Sequence, residues 1–164
     1  MRNFSLQRKG FTLIELLMII AIIGFIVTIA YANMQDAKKH ARDEQRMSDL
    51  KIVKVASRSY QDFISDGILP PANPAEVLGD GVGFDTTIAP YVTDIIKDPI
   101  NAGTNQYYYR SAYTCAGTPH TVVVALSMEI ASNGNFAAVC GAGPYADVAS
   151  GVTPTLASYV IILQ

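Results

Sequence analysis

The stretch that decides the fold is FTLIELLMIIAIIGFIVTIAYA, residues 11–32. Its 22 residues contain no proline and one charged side chain, Glu15. At about 1.5 Å rise per residue, a helix of this length crosses the hydrocarbon core of a bilayer. The apolar run is too long for a cleaved secretory leader, and it continues into charged sequence without a small-residue cleavage site. We therefore predict that residues 11–32 form a transmembrane helix that stays in the protein.

The helical pattern continues beyond the apolar run. No proline occurs before residue 70, so one helix can extend from about residue 11 to about residue 64. Gly24, the one glycine inside that stretch, either weakens the helix locally or permits close contact with another helix. In the second half, apolar side chains recur at steps of three and four residues: Met47, Leu50, Val53, Ala56 or Ser57, Tyr60, and Phe63 or Ile64. This spacing predicts an amphipathic helix over residues 33–66 with one face packed against another surface.

Residues 67–164 are predicted to form a loop-rich region followed by a small antiparallel sheet. Proline and glycine are frequent up to about residue 105, with a short helical turn within residues 88–97. Tyr, Val and Ile are concentrated in three candidate strands, residues 106–113, 121–129 and 159–164. Asn133-Gly134-Asn135 predicts a turn before another short strand at residues 136–140. The predicted fold is α+β, with a long N-terminal helix, transmembrane in its first half, packed on an antiparallel sheet head.

The formal net charge of -2 conceals two basic segments and one acidic segment. Residues 1–10 carry +3, residues 33–58 carry +3, and residues 59–164 carry -7. The acidic C-terminal part is poorly suited to binding phosphate backbones, so its charge disfavours direct nucleic-acid binding. Both flanks of the apolar helix are basic, and the positive-inside rule therefore gives only a weak orientation. The basic segment of residues 33–58 suits contact with lipid headgroups or with the acidic part of a neighbouring molecule.

The two cysteines, Cys115 and Cys140, lie in the C-terminal part without a CxxC motif or a zinc-type histidine cluster. In a chain with an export-type N-terminus we expect them to form a disulfide, worth about 3 kcal/mol if it is unstrained. The alternative is a pair of buried free thiols. The disulfide favours a head outside the reducing cytoplasm, with residues 1–10 inside.

No catalytic constellation is evident in the sequence. His40 lies in the predicted helix and His120 beside a proline, and the chain has no GxSxG, HExxH or phosphate-loop motif. We therefore predict that the protein is not an enzyme, has no cofactor and has no metal site.

Residues 9–16, KGFTLIEL, closely resemble the processing and assembly motif of type IV pilins and of the pseudopilins of type II secretion. The resemblance rests on a short basic leader, Gly10, Phe11, Glu15 and the uninterrupted apolar helix that follows. It implies that a membrane prepilin peptidase removes residues 1–10 by cutting between Gly10 and Phe11, and that the new Phe11 amine is N-methylated. It also implies a pilin-like fold, in which the α+β head of residues 67–164 follows the helix.

Glu15 is an ionisable group inside a segment of bilayer length, and such a group is costly unless it is paired. The resemblance implies that its partner is the Phe11 amine of a neighbouring subunit, so that the pair sets the register of assembly. The alternative is that the Glu15 side chain extends to the cytoplasmic interface, because it lies close to the end of the membrane span.

A second resemblance lies in KDPINAGTNQYYYR, residues 97–110, which is similar to the segment before the sheet in major pseudopilins. Some of those proteins bind calcium in a C-terminal loop. Here that region offers only Asp147 after Glu129, so a calcium loop is not supported. Four other acids could offer oxygen ligands elsewhere, but we interpret them as a solvated acidic face: Asp80, Asp85, Asp94 and Asp98.

The combined prediction is a structural subunit that forms a homo-oligomeric helical filament, either a pilus or a secretion pseudopilus. The resemblance implies an inner-membrane assembly platform and an assembly ATPase as further partners. Before assembly the protein would span the inner membrane once, with its head outside the cytoplasm, and the filament would be periplasmic or extracellular. The alternative function is a monomeric, membrane-tethered binding domain in which the apolar helix is only an anchor.

Overall fold

A computed structural model describes residues 10–64, 67–71, 76–103, 105–115, 117–126, 128–140 and 158–163. The chain divides into two compact units, Met1–Lys38 and Lys39–Gln164. Helix α1, Leu13–Phe63, begins in the first unit and supplies the first element of the second. Its 51 residues confirm the predicted helix from about residue 11 to about residue 64.

In the first unit, the described side chains of α1 are uncovered. Sixteen large apolar side chains between Phe11 and Met34 are exposed, including Ile14 at 75% and Phe25 at 69%. The helix is long and apolar enough to cross a membrane, judged by length and composition. A Cβ added at Gly24 would meet no atom within 4 Å, so this position leaves space for an approaching surface.

The second unit contains an antiparallel sheet of four strands among the described residues, in the order β1-β2-β3-β4. The strands are β1 (Glu76–Leu78), β2 (Tyr107–Cys115), β3 (Thr118–Ala125) and β4 (Tyr159–Ile162). Between β1 and β2 lie a short helix, α2 (Phe84–Ile88), and a 3₁₀ turn (Ala89–Tyr91). Between β3 and β4 lie a 3₁₀ turn (Ala131–Asn133) and helix α3 (Phe136–Cys140).

The two faces of the sheet contribute to two hydrophobic clusters. On one face, Tyr107, Tyr109 and Val123 join Leu50 and Val53 of α1, all of them fully buried. On the other face, the β-strand side chains pack with α3: Tyr113, Val122, Val124, Val160, Phe136 and Cys140. The period-two alternation of the strands separates these clusters. The α+β prediction of a long helix packed on an antiparallel sheet is therefore confirmed.

Several local predictions were wrong. Residues 136–140 form α3 rather than a strand, because a run of five apolar residues does not distinguish the two states. Strand β1 lies in sequence predicted to be a loop. By contrast, the helical turn predicted within residues 88–97 is confirmed by the 3₁₀ turn at Ala89–Tyr91, and α2, which precedes it, was not predicted. At the end of the α1 stripe, Phe63 and Ile64 are 79% and 63% exposed, since the core of the head does not extend that far along the helix.

Candidate functional site

The N-terminal segment places Gly10 and Phe11 immediately before α1, outside the helix, and both residues are exposed. Thr12 and Glu15 cap the helix reciprocally. The Thr12 backbone N–H and hydroxyl donate to Oε2 of Glu15 at 2.8 and 2.9 Å, and the Glu15 N–H donates to the Thr12 hydroxyl at 3.3 Å. This arrangement is a capping box, which satisfies N–H groups that the first helical turn leaves unpaired.

The capping box gives Glu15 a local partner that sequence reasoning missed. The signal was present, because Thr12 and Glu15 have the T-x-x-E spacing immediately before the apolar run. The two hydrogen bonds that the Glu15 carboxylate accepts both use Oε2, and Oε1 has no hydrogen-bond partner within residues 10–64. One carboxylate oxygen therefore remains available at the exposed start of the helix.

A cluster of five charged side chains joins α1 to the head within the second unit. Arg46 is fully buried at its centre. Its Nε and Nη2 donate to Asp98 at 2.7 and 3.2 Å, and Nη1 donates to Asp43 at 2.8 Å and to Glu129 at 3.4 Å. Arg42, one turn earlier, binds Glu129 with two hydrogen bonds of 2.5 and 2.6 Å. Buried ions are tolerated only when paired and hydrogen-bonded, and here each one is.

Asp43 ties the helix to the segment after β3. Its carboxylate accepts the backbone N–H groups of Glu129 and Ile130 at 3.0 and 2.9 Å, and the Asn133 side-chain amide at 3.0 Å. Burial acts to raise the pKa of Asp43, but these hydrogen bonds and that from Arg46 outweigh it and hold the pKa below its usual value. The hydrogen bond from Arg42 likewise lowers the pKa of Glu129.

Asp98 ties the helix to the segment before β2. While paired with Arg46, it also accepts the N–H groups of Ile100 and Asn101 at 2.8 and 3.3 Å. Asn101 has φ 48°, a left-handed conformation that Asn tolerates better than most residues. Residues 98–101 thus form a turn around a buried carboxylate.

The interpretation of four aspartates as a solvated acidic face was wrong for two of them. Asp98 is 3% exposed, and Asp85 is 8% exposed. The Asp85 carboxylate accepts the N–H groups of Gly79 and Gly81 at 2.7 and 2.9 Å, and burial raises its pKa. Asp80 and Asp94 are exposed as expected. Within the described residues, no group of three or more His, Cys, Asp or Glu side chains is arranged to hold a metal ion.

The cysteines lie on different elements of the head. Cys140 ends α3 and is 4% exposed, and Cys115 ends β2. The described part of the chain contains no free cysteine. Because the side chain of Cys115 lies outside the described residues, its pairing with Cys140 stays a prediction.

A long helix with an uncovered apolar first half, followed by an antiparallel sheet, is a pilin-like fold. Residues 6–31 match the model of the prokaryotic N-terminal methylation motif. This match includes the predicted processing residues and the start of α1.

The curated relatives that the chain matches are pilin and fimbrial proteins. The chain is 37% identical over 70 residues to the type IV major pilin protein PilE1 of Neisseria gonorrhoeae, covering 43% of this chain and 32% of the relative. It is 33% identical over 71 residues to the type IV major pilin protein PilA of Myxococcus xanthus, covering 39% and 32%. It is 38% identical over 79 residues to a fimbrial protein of Pseudomonas aeruginosa, covering 47% and 49%.

The chain thus spans about a third to a half of the length of these relatives. No solved structure matches it significantly. The relatives are pilin and fimbrial proteins, structural subunits rather than enzymes, which supports the prediction that this chain is not an enzyme.

Proposed function

We propose that this chain is the precursor of a subunit that polymerises through α1 into a helical filament, either a pilus or a secretion pseudopilus. The observation that carries the proposal is the uncovered first half of α1. Burying a large apolar side chain is worth roughly 1.5–3 kcal/mol. For sixteen exposed side chains the total is on the order of tens of kcal/mol. A bilayer covers this surface before assembly, and the helices of neighbouring subunits cover it afterwards.

Processing between Gly10 and Phe11 fits the local structure. Both residues precede the helix and are exposed, and a peptidase requires accessible, non-helical backbone at the bond that it cuts. Gly10 has no Cβ to obstruct that approach. Cleavage by a prepilin peptidase would remove residues 1–10 and leave Phe11 as the new N-terminus, which is then N-methylated.

Glu15 is proposed to pair with the Phe11 amine of a neighbouring subunit during assembly. The capping box holds one carboxylate oxygen and leaves Oε1 for an intermolecular partner. A positive amine at that oxygen would neutralise an ionised group inside an apolar environment, where an unpaired charge is costly. The pair would align each entering subunit with the one before it.

The segments of the chain then have distinct roles. Residues 1–10 are a cytoplasmic leader, residues 11–32 span the inner membrane once and drive assembly, and residues 33–66 link the span to the head. The head, residues 67–164, lies outside the cytoplasm and forms the filament surface, periplasmic or extracellular, where an oxidising environment permits the Cys115–Cys140 disulfide. An inner-membrane platform and an assembly ATPase would supply the machinery.

Variants of Glu15 test this proposal because they separate capping from charge. Glu15→Gln keeps an acceptor for the capping box and removes the charge, whereas Glu15→Ala removes both. In cells that carry the peptidase and assembly machinery, we expect wild-type filaments, measured by shearing and electron microscopy, and few or none from either variant. If Glu15→Gln assembles like the wild type, capping alone explains Glu15 and the amine pairing is wrong.

Intact mass tests processing independently. We expect the wild-type chain to lose ten residues, and Gly10→Val to keep them because a branched side chain obstructs the scissile bond. A wild-type chain that remains full length and monomeric in these cells would contradict the filament function. That result would favour the membrane-tethered binding domain.

A further inference from the structure

An open cleft of about 340 Å³ lies in the second unit between α1 and the segment that leads to β2. One wall is formed by Gln45, Asp49 and Ile52 of α1, and the other by residues 92–99. Ile52 and Ile95 are 46% and 56% exposed, so the cleft offers apolar surface to an incoming group. It is separate from the N-terminal segment to which the proposed assembly function is assigned.

The cleft carries more negative than positive charge. Its lining includes three aspartates, of which Asp98 is already balanced by Arg46. Asp49 and Asp94 remain against one cation, Lys97. Asp49 accepts a hydrogen bond from the Tyr107 hydroxyl at 2.9 Å and has no ion pair with any described residue. Burial raises the pKa of Asp49, as expected of a carboxylate that lacks a cationic partner.

The side of α1 that faces away from the cleft carries positive charges without ion-pair partners among the described residues. Lys51, Lys54 and Arg58 follow at steps of three and four residues and therefore share one side of the helix. None of the three has an ion pair with a described residue, whereas Arg42 and Arg46 are both paired. Val55 lies among them and is 64% exposed.

The same chain cannot bring these two surfaces together. At 3.6 residues per turn, the side of α1 that lines the cleft and the side that carries the three cations differ by roughly 150° around the helix axis. The cations therefore point away from their own cleft. Two different, complementary surfaces on one subunit are the arrangement required for a heterologous contact, which repeats without closing and builds a helical filament.

We propose that the cleft receives the face formed by Lys51, Lys54 and Arg58 of a second copy of this chain. The long aliphatic stems of the Lys and Arg side chains would cover Ile52 and Ile95, while their charged ends reach Asp49 and Asp94. This contact rests on the proposed filament function and adds to it a specific interface between heads.

Zero-length carbodiimide cross-linking of purified wild-type filaments tests the contact directly, because it joins a lysine amine to a carboxylate only where the two touch. We expect dimers on a denaturing gel whose peptides link Asp49 or Asp94 to Lys51 or Lys54. Dimers linked only through other residues, or no dimers, would overturn the proposal.

Charge reversal provides a second test with a matched control. Asp94→Lys should lower filament yield roughly fivefold, since it replaces an attraction by a repulsion at every subunit. Asp80→Lys is the control, because Asp80 is also an exposed aspartate whose carboxylate accepts a nearby backbone N–H and it lies outside the cleft. It should assemble like the wild type.

The triple variant K51E/K54E/R58E should show a similar loss, and its combination with Asp94→Lys should recover much of the yield. Absence of recovery, with each variant still folded by circular dichroism, contradicts this contact. These outcomes are distinct from failure of the filament function, in which the wild-type chain itself would form no filaments.

Discussion

Replacing Arg46 by methionine should destabilise the head by about 3 kcal/mol. Removing one partner from a buried ion pair typically costs about 3–5 kcal/mol, because the remaining charge loses its counter-ion without regaining water. Arg46 is fully buried and Asp98 is 3% exposed, so water cannot take the place of the guanidinium beside the Asp98 carboxylate. The lower end of the range applies, since Asp43 keeps three other hydrogen bonds and Asp98 keeps two.

The assay is urea unfolding of the full chain in detergent, followed by tyrosine fluorescence, because the chain has nine tyrosines and no tryptophan. Arg58→Met is the matched control: the same change at an exposed position on the same helix should alter the free energy of unfolding by less than about 0.5 kcal/mol. Adding Asp98→Asn to Arg46→Met removes the stranded charge, so the double variant should lose less than the sum of the single losses. A loss below about 1 kcal/mol for Arg46→Met, or additive losses in the double variant, would refute the reasoning.

Three further outcomes are expected in the same unfolding assay. The pKa of Asp43 is lowered in the folded state, so the ionised carboxylate stabilises the fold above the unfolded pKa of about 4, and this stabilisation is lost as the pH falls through the folded pKa. The difference in unfolding free energy between wild type and Asp43→Asn should therefore shrink below about pH 4. A difference that stays constant with pH would count against this. Val53→Ala should lower the free energy of unfolding by about 2 kcal/mol because Val53 is fully buried. Val55→Ala, at a position that is 64% exposed, should change it by less than about 0.5 kcal/mol. Equal losses would contradict the packing described. Gly79→Ala should destabilise the head more than Gly81→Ala. Both glycines have positive φ, which costs an alanine about 1 kcal/mol, but only at Gly79 would the new Cβ also meet Cβ of Lys97, at 2.6 Å. A larger loss at Gly81 would be evidence against the backbone described.

The helix could be predicted from sequence because its signals are local. An absence of proline and a three- and four-residue apolar spacing are sufficient to predict α1, and residues 50, 53, 56 and 57 are buried as the spacing requires. The motif of residues 9–16 could also be recognised from sequence, because it too is local. Glu15 was identified as costly inside an apolar segment, but the local T-x-x-E spacing that pairs it with Thr12 was overlooked.

The charge cluster could not be predicted because its partners are remote in sequence. Asp43 and Arg46 continue the apolar stripe of α1 toward its N-terminus by one turn, where charged residues ordinarily indicate a solvated face. Their partners lie 52 residues away at Asp98 and 86 residues away at Glu129. Sequence spacing within a helix carries no information on such contacts. Short elements failed for a related reason, since the three residues of β1 form a strand only by pairing with β2.

The way in which Asp43 and Asp98 are held has a consequence for how this protein can diversify. Four of the bonds that fix these carboxylates come from the main chain, at residues 100, 101, 129 and 130. Apart from proline, most residues supply the same N–H group. At positions such as Ile100, which is 43% exposed, mutation can therefore change the outward chemistry of the molecule while the attachment between helix and sheet persists. Variation at the surface and constancy of the scaffold are compatible because the linkage is made by atoms that nearly all amino acids share.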